Sequence, residues 1–356
     1  MSTASLNRIV LKGFRSIREM DIELKPINLL IGANGAGKSN FLAFFRFMRE
    51  ARRRNLQHYV LQEGGADRIL HFGRKHTSLL DVGIFFSDCV YECKFGSVAD
   101  DKLAFMNERW HSPALGKDTS AFAFGSRESL LDESGPSAFS ALVANRLSSW
   151  RAYHFHDTTR EAKVKSTGRI DQTDSLYSDA SNLAAFLRSL RSTPAYARIL
   201  ATVQRVAPFI SDFVLEPEDE AGKFLRLRWS HSNSEQIFDI SDLSDGTLRF
   251  ICLTTLLLQP NLPDIIIVDE PELGLHPAAL NILAGMIQSV SARAQIIAST
   301  QSVTLANQFG VDDIIVVDRK DEASTFRRLD LKELEGWLGE YSIGDLWEKN
   351  VIGGNP

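Results

Sequence analysis

The sequence predicts an α/β fold: a mixed, mostly parallel sheet with helices on its faces, a β-rich N-terminal part and a helical lobe. Three observations carry this. The C-terminal third alternates helical patterns with short buried runs, IIIV at 265–268, QIIAS at 295–299 and DIIVV at 313–317, the rhythm of strands joined by crossover helices. The apolar run Ile27–Ile31 leads directly into the glycine-rich GANGAGKS at 32–39 and then into a helical stretch. The first residues alternate in strand fashion over Leu6–Phe14 and Glu19–Leu24.

Taken in order, these two strands and the strand Ile27–Ile31 precede a helix that starts near Lys38 and runs through FLAFFRFMREARRRN. Short β-type runs broken by Gly, Asp and Ser fill the stretch between Ile69 and Trp110. Residues 112–138 are rich in Ser, Gly and Ala and read as an irregular excursion. The polar tract Arg160–Ser178 reads as a mobile loop. Asp179 or Ser181 can cap a long helical region, NLAAFLRSLRSTPAYARILATVQRVA, interrupted near Pro194. Strands are expected at Phe213–Leu215 and Phe224–Trp229, and helices from Thr247, Pro277 and Val303. No internal repeat, heptad array or low-complexity tract is present.

Composition narrows the function classes. A chain of 356 residues with 44% hydrophobic and 24% charged residues fits a protein with a sizeable core. No apolar run is long enough to cross a bilayer, and MSTASLNRIV lacks the layout of a secretory signal, so a cytoplasmic location without a membrane partner is expected. Cys89, Cys93 and Cys252 form no disulfide framework and lack a second Cys/His pair at zinc spacing. With a net charge of −5, contact with nucleic acid would need a local basic patch.

Gly32, Gly37, Lys38 and Ser39 match G-x-x-x-x-G-K-[ST] in the required strand–loop–helix context. In such a loop, backbone N–H groups and the helix end hold phosphate. Asn34, Gly35, Gly37, Lys38, Ser39 and Asn40 are therefore the expected ATP contacts, with Lys38 reaching the β- and γ-phosphates and the Ser39 hydroxyl on Mg²⁺. The run Asp264–Pro271, DIIIVDEP, delivers two adjacent carboxylates at the end of an apolar strand. Asp269 suits the Mg²⁺ shell, and Glu270 suits the base that orients attacking water.

The remaining motifs suggest which kind of ATPase. LSDGT at 243–247 resembles the LSGGQ signature of the ABC ATPases, EPELGLHP at 270–277 resembles their glutamate-plus-D-loop segment, and Ser299–Ser302 occupies the switch segment. LKGFRSI at 11–17 looks like the opening strand of the SMC and RecF branch, with Arg15 placed to face the nucleotide. The motif order matches over nearly the whole chain, which resembles the RecF-like and OLD-like bacterial AAA ATPases. The resemblance implies one ABC-type P-loop head over 1–356. It would comprise a Walker A half over about 1–160, a mobile segment over about 160–178, a signature and Walker B half over about 179–340 and a tail at 341–356. It also implies a homodimer formed head to tail on ATP, with Ser244 and Gly246 of one copy capping the ATP of the other. Gln301, at the switch position, is the second expected catalytic residue, and Gln62 is a candidate Mg²⁺-sensing Q-loop residue.

Three positions depart from the family pattern: Asp245 replaces the first signature glycine, His276 the D-loop aspartate and Gln301 the switch histidine. All three fit slow, switch-like turnover. The intervening region lacks the heptads of an SMC arm. The residues after Gln301 carry no DxD motif of a Toprim nuclease, so a nuclease is expected to be a separate partner. The implied role is in DNA repair or anti-phage defence. The local support is the run Arg46, Arg49, Arg52, Arg53 and Arg54, in which 46, 49 and 53 share a helical face. An ATP-controlled scaffold that never meets DNA is the alternative. In it Ile343, Leu346, Trp347 and Val351 would form an adhesive stripe, although such a stripe more often docks on its own domain. A membrane-transporter ATPase fits less well, because a strict LSGGQ is lacking. His154 and His156 share one strand face without an evident third metal ligand.

Overall fold

A computed structural model describes residues 5–112, 116–121, 125–131, 138–217, 219 and 221–354. Its strands are β1 (Leu6–Phe14), β2 (Ile17–Glu23), β3 (Ile27–Ile31), β4 (Leu79–Phe86), β5 (Val90–Val98), β6 (Lys102–Ser112), β7 (Lys117–Ala121), β8 (Trp150–Tyr153), β9 (Gly168–Arg169), β10 (Ile210–Val214), β11 (Phe224–Leu225), β12 (Arg228–His231), β13 (Ile237–Asp239), β14 (Ile265–Asp269), β15 (Gln295–Thr300), β16 (Ile314–Lys320) and β17 (Ala323–Arg328). The helices are α1 (Lys38–Arg52), α2 (Leu56–Gln62), α3 (Ala66–Ile69), α4 (Ala138–Ser148), α5 (Leu183–Leu190), α6 (Pro194–Gln204), α7 (Asp245–Leu258), α8 (Pro277–Val290), α9 (Val303–Ala306), α10 (Leu331–Leu334) and α11 (Ile343–Glu348).

The chain divides into two units. The first comprises residues 1–152, 263–267 and 294–356, the second 153–262 and 268–293. The first holds an antiparallel sheet ordered β2-β1-β4-β5-β6-β7 and most residues of a mixed sheet ordered β17-β16-β3-β15-β14-β8. Within the mixed sheet β3 runs parallel to both β15 and β16, while β17 is antiparallel to β16. All five residues of β3 are buried, as a central parallel strand covered on both faces requires, and the one polar residue, Asn28, donates its amide to the Lys25 and Ile296 carbonyls.

Helix α1 is packed with aromatic residues because sheets flank it on both sides. Phe14 of β1 meets Phe44 at 6.0 Å, and Phe95 of β5 meets Phe47 at 5.0 Å between ring centroids. Phe326 of β17 meets Phe41 at 5.5 Å, and Trp150 of β8 meets Phe45 at 5.4 Å. Each buried phenylalanine contributes about 1.5–3 kcal/mol of burial free energy. The helix that opens the glycine loop is thereby fixed along most of its length.

The second unit contains α5 to α8, the three-stranded sheet β10-β12-β13 and the pair β9-β11. Thr193 caps α6 by accepting the Tyr196 N–H, with Pro194 in the first turn. The cap expected at Asp179 or Ser181 falls instead at Asn182, and Asp179 accepts the Ser181 N–H in a turn before it. Residues 163–165 and 168–169, within the tract read as a loop, form a 3-10 turn and β9.

The C-terminal stripe docks on its own unit. Ile343, Leu346 and Trp347 are buried and α11 packs on α9, whereas Val351 stays 40% exposed. The Trp347 indole N–H donates to the Gly354 carbonyl at 3.1 Å, and the Gly354 N–H donates to Asp318 Oδ1 at 2.7 Å. Among the described residues no helix is long and apolar enough to cross a membrane.

Candidate nucleotide-binding and catalytic site

The glycine loop begins where β3 ends and closes at the first residue of α1. At its last glycine, Gly37, φ is +117° and a Cβ would fall 2.0 Å from Ser324 Oγ, so no side chain fits. Lys38 folds back under the loop. Its ammonium donates to the Gly32 carbonyl at 2.5 Å and to the Ala33 carbonyl at 2.9 Å, and the residue is only 5% exposed. A buried cation pinned inside a curl of backbone suits an anion held by the loop's N–H groups. Asn34, Gly35 and Ser39 are exposed, which leaves the Ser39 hydroxyl open to a metal ion.

Beneath the loop lies a hydroxyl network that the motif does not reveal. Ser324 of β17 donates to the Ala36 carbonyl at 2.5 Å and lies 2.7 Å from Ser16 Oγ, and the Asn40 amide donates to Ser16 Oγ at 2.7 Å. Ser16 belongs to the β1–β2 turn, where Arg15 sits with φ +48°. This turn lies against the glycine loop, and Arg15 is ion-paired with Glu63 and packed over the Phe14 ring. Gln62, the residue before Glu63, is exposed at the end of α2.

Replacing Gly37 by Ala tests the support. Because Cβ would displace Ser324 at a φ hostile to L-residues, we expect a loss of about 2–4 kcal/mol in urea unfolding. A loss under 0.5 kcal/mol would show that the loop relaxes freely.

In the second unit, β14 ends at Asp269, and Glu270 takes the left-handed conformation with φ +40°. Such strain in a non-glycine residue is characteristic of functional sites. The Glu270 carbonyl accepts from the Leu273 N–H at 3.2 Å. A cleft of about 10 Å³, room for roughly one water molecule, is lined by Phe155, His156, Arg249, Leu253, Val268, Asp269, Glu270 and Pro271. His156 therefore shares a cleft with both carboxylates, while His154 is exposed. Among the described residues no three His, Cys, Asp or Glu side chains cluster as metal ligands.

The signature turn belongs to the same unit. Ser244 caps α7 by accepting the Thr247 N–H at 3.2 Å. Asp245 is drawn toward Lys165, 3.6 Å from its carboxylate, and Lys165 is 8% exposed and also donates to the Thr158 carbonyl at 2.6 Å. The acid that replaces a signature glycine is thus held by an internal cation. His276, at the D-loop aspartate position, caps α8 by accepting the Ala278 N–H at 3.2 Å. In the first unit, Gln301 is exposed just after β15.

The arginine run divides. Arg52 is buried, its Nε donating to the Ala144 carbonyl at 3.0 Å, so it is structural and leaves the candidate patch. Arg46 lies over the Tyr59 ring, and Arg46, Arg53 and Arg54 are exposed. Sequence reasoning also missed Ser16, Ser324, Lys165 and Arg249. A signal existed for Arg249, a lone charge in the otherwise apolar TLRFICLTTLLL of α7. Lys165 was hidden in a tract that reads as a loop.

A family model described as "AAA domain, putative AbiEii toxin, Type IV TA system" matches residues 118–307, and another described as "AAA ATPase domain" matches residues 5–102. An Smc head domain bound to the C-terminal domain of ScpA, from Pyrococcus furiosus, is similar with a TM-score of 0.60 at 14% identity over 95% of this chain and 99% of that one. An SmcHead bound to the C-winged helix domain of ScpA gives 0.56 at 15% identity, over 93% and 99%. The Smc head with a coiled coil and joint from Pyrococcus yayanosii gives 0.54 at 12%, over 95% and 99%. At these identities the likeness shows the fold alone, that of the Smc head domains. No curated protein matches the chain.

Proposed function

The chain belongs to the AAA-domain family whose model spans residues 118–307, and from that premise we propose that it is a slow ATP switch that dimerises head to tail. Lys38, with Asn34, Gly35, Gly37, Ser39, Asn40 and Arg15, would hold ATP. Ser39, Asp269 and Gln62 would serve Mg²⁺, while Glu270 and Gln301 would act on the attacking water. Mg²⁺ would neutralise charge developing on the phosphates. Ser244 and Gly246 of a second copy would cap the triphosphate at the N-terminus of α7.

The observation that carries this reading is Lys38, a buried cation curled into the glycine loop by two backbone carbonyls. Ser244 as the N-cap of the fourteen-residue α7 gives separate support to a second phosphate contact. The test is light scattering of Glu270→Gln with ATP. We expect a dimer that disappears when Ser244→Arg is added. A permanent monomer would remove the composite site.

The substrate of the switch is proposed to be DNA, in repair or phage defence in the cytoplasm, with a separate Toprim-like nuclease. The family description, with its toxin–antitoxin system, supports the defence setting. The Smc heads bound to ScpA support a protein partner of some kind. Exposed Arg46, Arg53 and Arg54 are the proposed phosphate contacts. Reversing all three to Glu should weaken DNA binding at least about tenfold and lower its salt slope by about three. Unchanged binding would favour the scaffold reading, in which ATP regulates a partner protein without DNA.

A further inference from the structure

Arg249 stands at the start of the second turn of α7 and makes four hydrogen bonds to two other segments, 155–158 and the turn at 273. Nη1 donates to the Leu273 carbonyl at 3.0 Å, Nε to the Phe155 carbonyl at 3.1 Å, and Nη2 to the His156 carbonyl at 2.8 Å and Thr158 Oγ1 at 3.3 Å. The Leu273 N–H in turn donates to the Glu270 carbonyl. Two hydrogen bonds thus join the helix that presents Ser244 to the backbone of Glu270. A second contact makes the join rigid. A Cβ on Gly246 would lie 2.2 Å from the Gly274 carbonyl, so the signature turn and the turn after Glu270 touch backbone to backbone.

We propose that Arg249 is a positioning residue that couples the signature turn to the Glu270 turn, so that engagement of the signature by one nucleotide sets the pose of the carboxylate serving the other. This rests on the head-to-tail reading above. The physical basis is the guanidinium's planar fork, which fixes several acceptors in one geometry. The two turns are too closely packed to shift separately, and packed elements of this kind switch between discrete arrangements rather than deform. A shift of Glu270 by about 1 Å would cost up to about a hundredfold in rate.

The test uses the full-length chain with Arg249→Met. A second variant is Gly274→Ala, whose Cβ would fall 2.9 Å from Arg249 Nη1 at a φ of +76°. Folding is followed by melting temperature. The expected result is a split: fluorescent-nucleotide affinity within about threefold of wild type, kcat lowered between about tenfold and a hundredfold, and ATP-driven dimerisation retained when either change is combined with Glu270→Gln. A bystander that merely holds the fold would lower melting temperature and affinity together. An unchanged kcat in both variants, or loss of dimerisation along with kcat, overturns the coupling. If Glu270→Gln alone stays monomeric, the head-to-tail reading itself has failed, a result distinct from either of those.

Discussion

Lys38→Ala should lower ATP affinity between about a hundredfold and ten-thousandfold, measured by equilibrium binding of a fluorescent ATP analogue. In the fold the ammonium makes charge-assisted hydrogen bonds to the Gly32 and Ala33 carbonyls. Two such bonds transferred to phosphate oxygens are worth about 1.5–3 kcal/mol each, and each 1.4 kcal/mol is about tenfold. The variant also leaves two loop carbonyls without their donor, so the curl itself should loosen. Arginine should not rescue it, because the enclosed space under the loop is shaped for a compact ammonium rather than a planar fork. Affinity within threefold of wild type would remove Lys38 from the nucleotide site.

Glu270→Gln should leave ATP affinity within about threefold while lowering kcat between about a hundredfold and ten-thousandfold, the range of a positioned general base. The amide keeps the size of the carboxylate but cannot take a proton from water. The strained φ of +40° at this position is compatible with either side chain, so the folded population should not change. Steady-state phosphate release, checked against a single-turnover measurement, reads the effect. If turnover survives, another group handles the proton, and His156, which lines the same cleft, becomes the first to examine.

The sequence made the central layer of the fold legible for clear physical reasons. The runs 27–31, 265–268 and 295–299 are dominated by aliphatic residues, with Asn28, Gln295 and Ser299 the polar exceptions, and that pattern survives only where both faces of a parallel strand are covered. The glycine loop was legible because its residue types answer to steric need: at Gly37 a side chain would collide with Ser324. What escaped was whatever depends on distant partners. Helix α4 has mixed polarity over AFSALVANRLS and lies beside a Ser- and Gly-rich stretch, so periodicity alone gave it no signal. Strand β17 is short and polar on one face, yet it supplies the hydroxyl beneath the loop. Arg52 looked like part of a surface stripe, and only the Ala144 carbonyl on α4 explains its burial. The departure at Asp245 gave no sign of its partner, because Lys165 lies eighty residues earlier in the chain.

The hydroxyl that Ser324 places under Ala36 belongs to a residue 288 positions later in the chain. During synthesis the complete phosphate-binding motif therefore emerges long before its floor exists, and the nascent polypeptide must wait for β17 before the loop can set. A ribosome-bound chain stalled short of residue 324 should carry every motif residue and still fail to retain ATP.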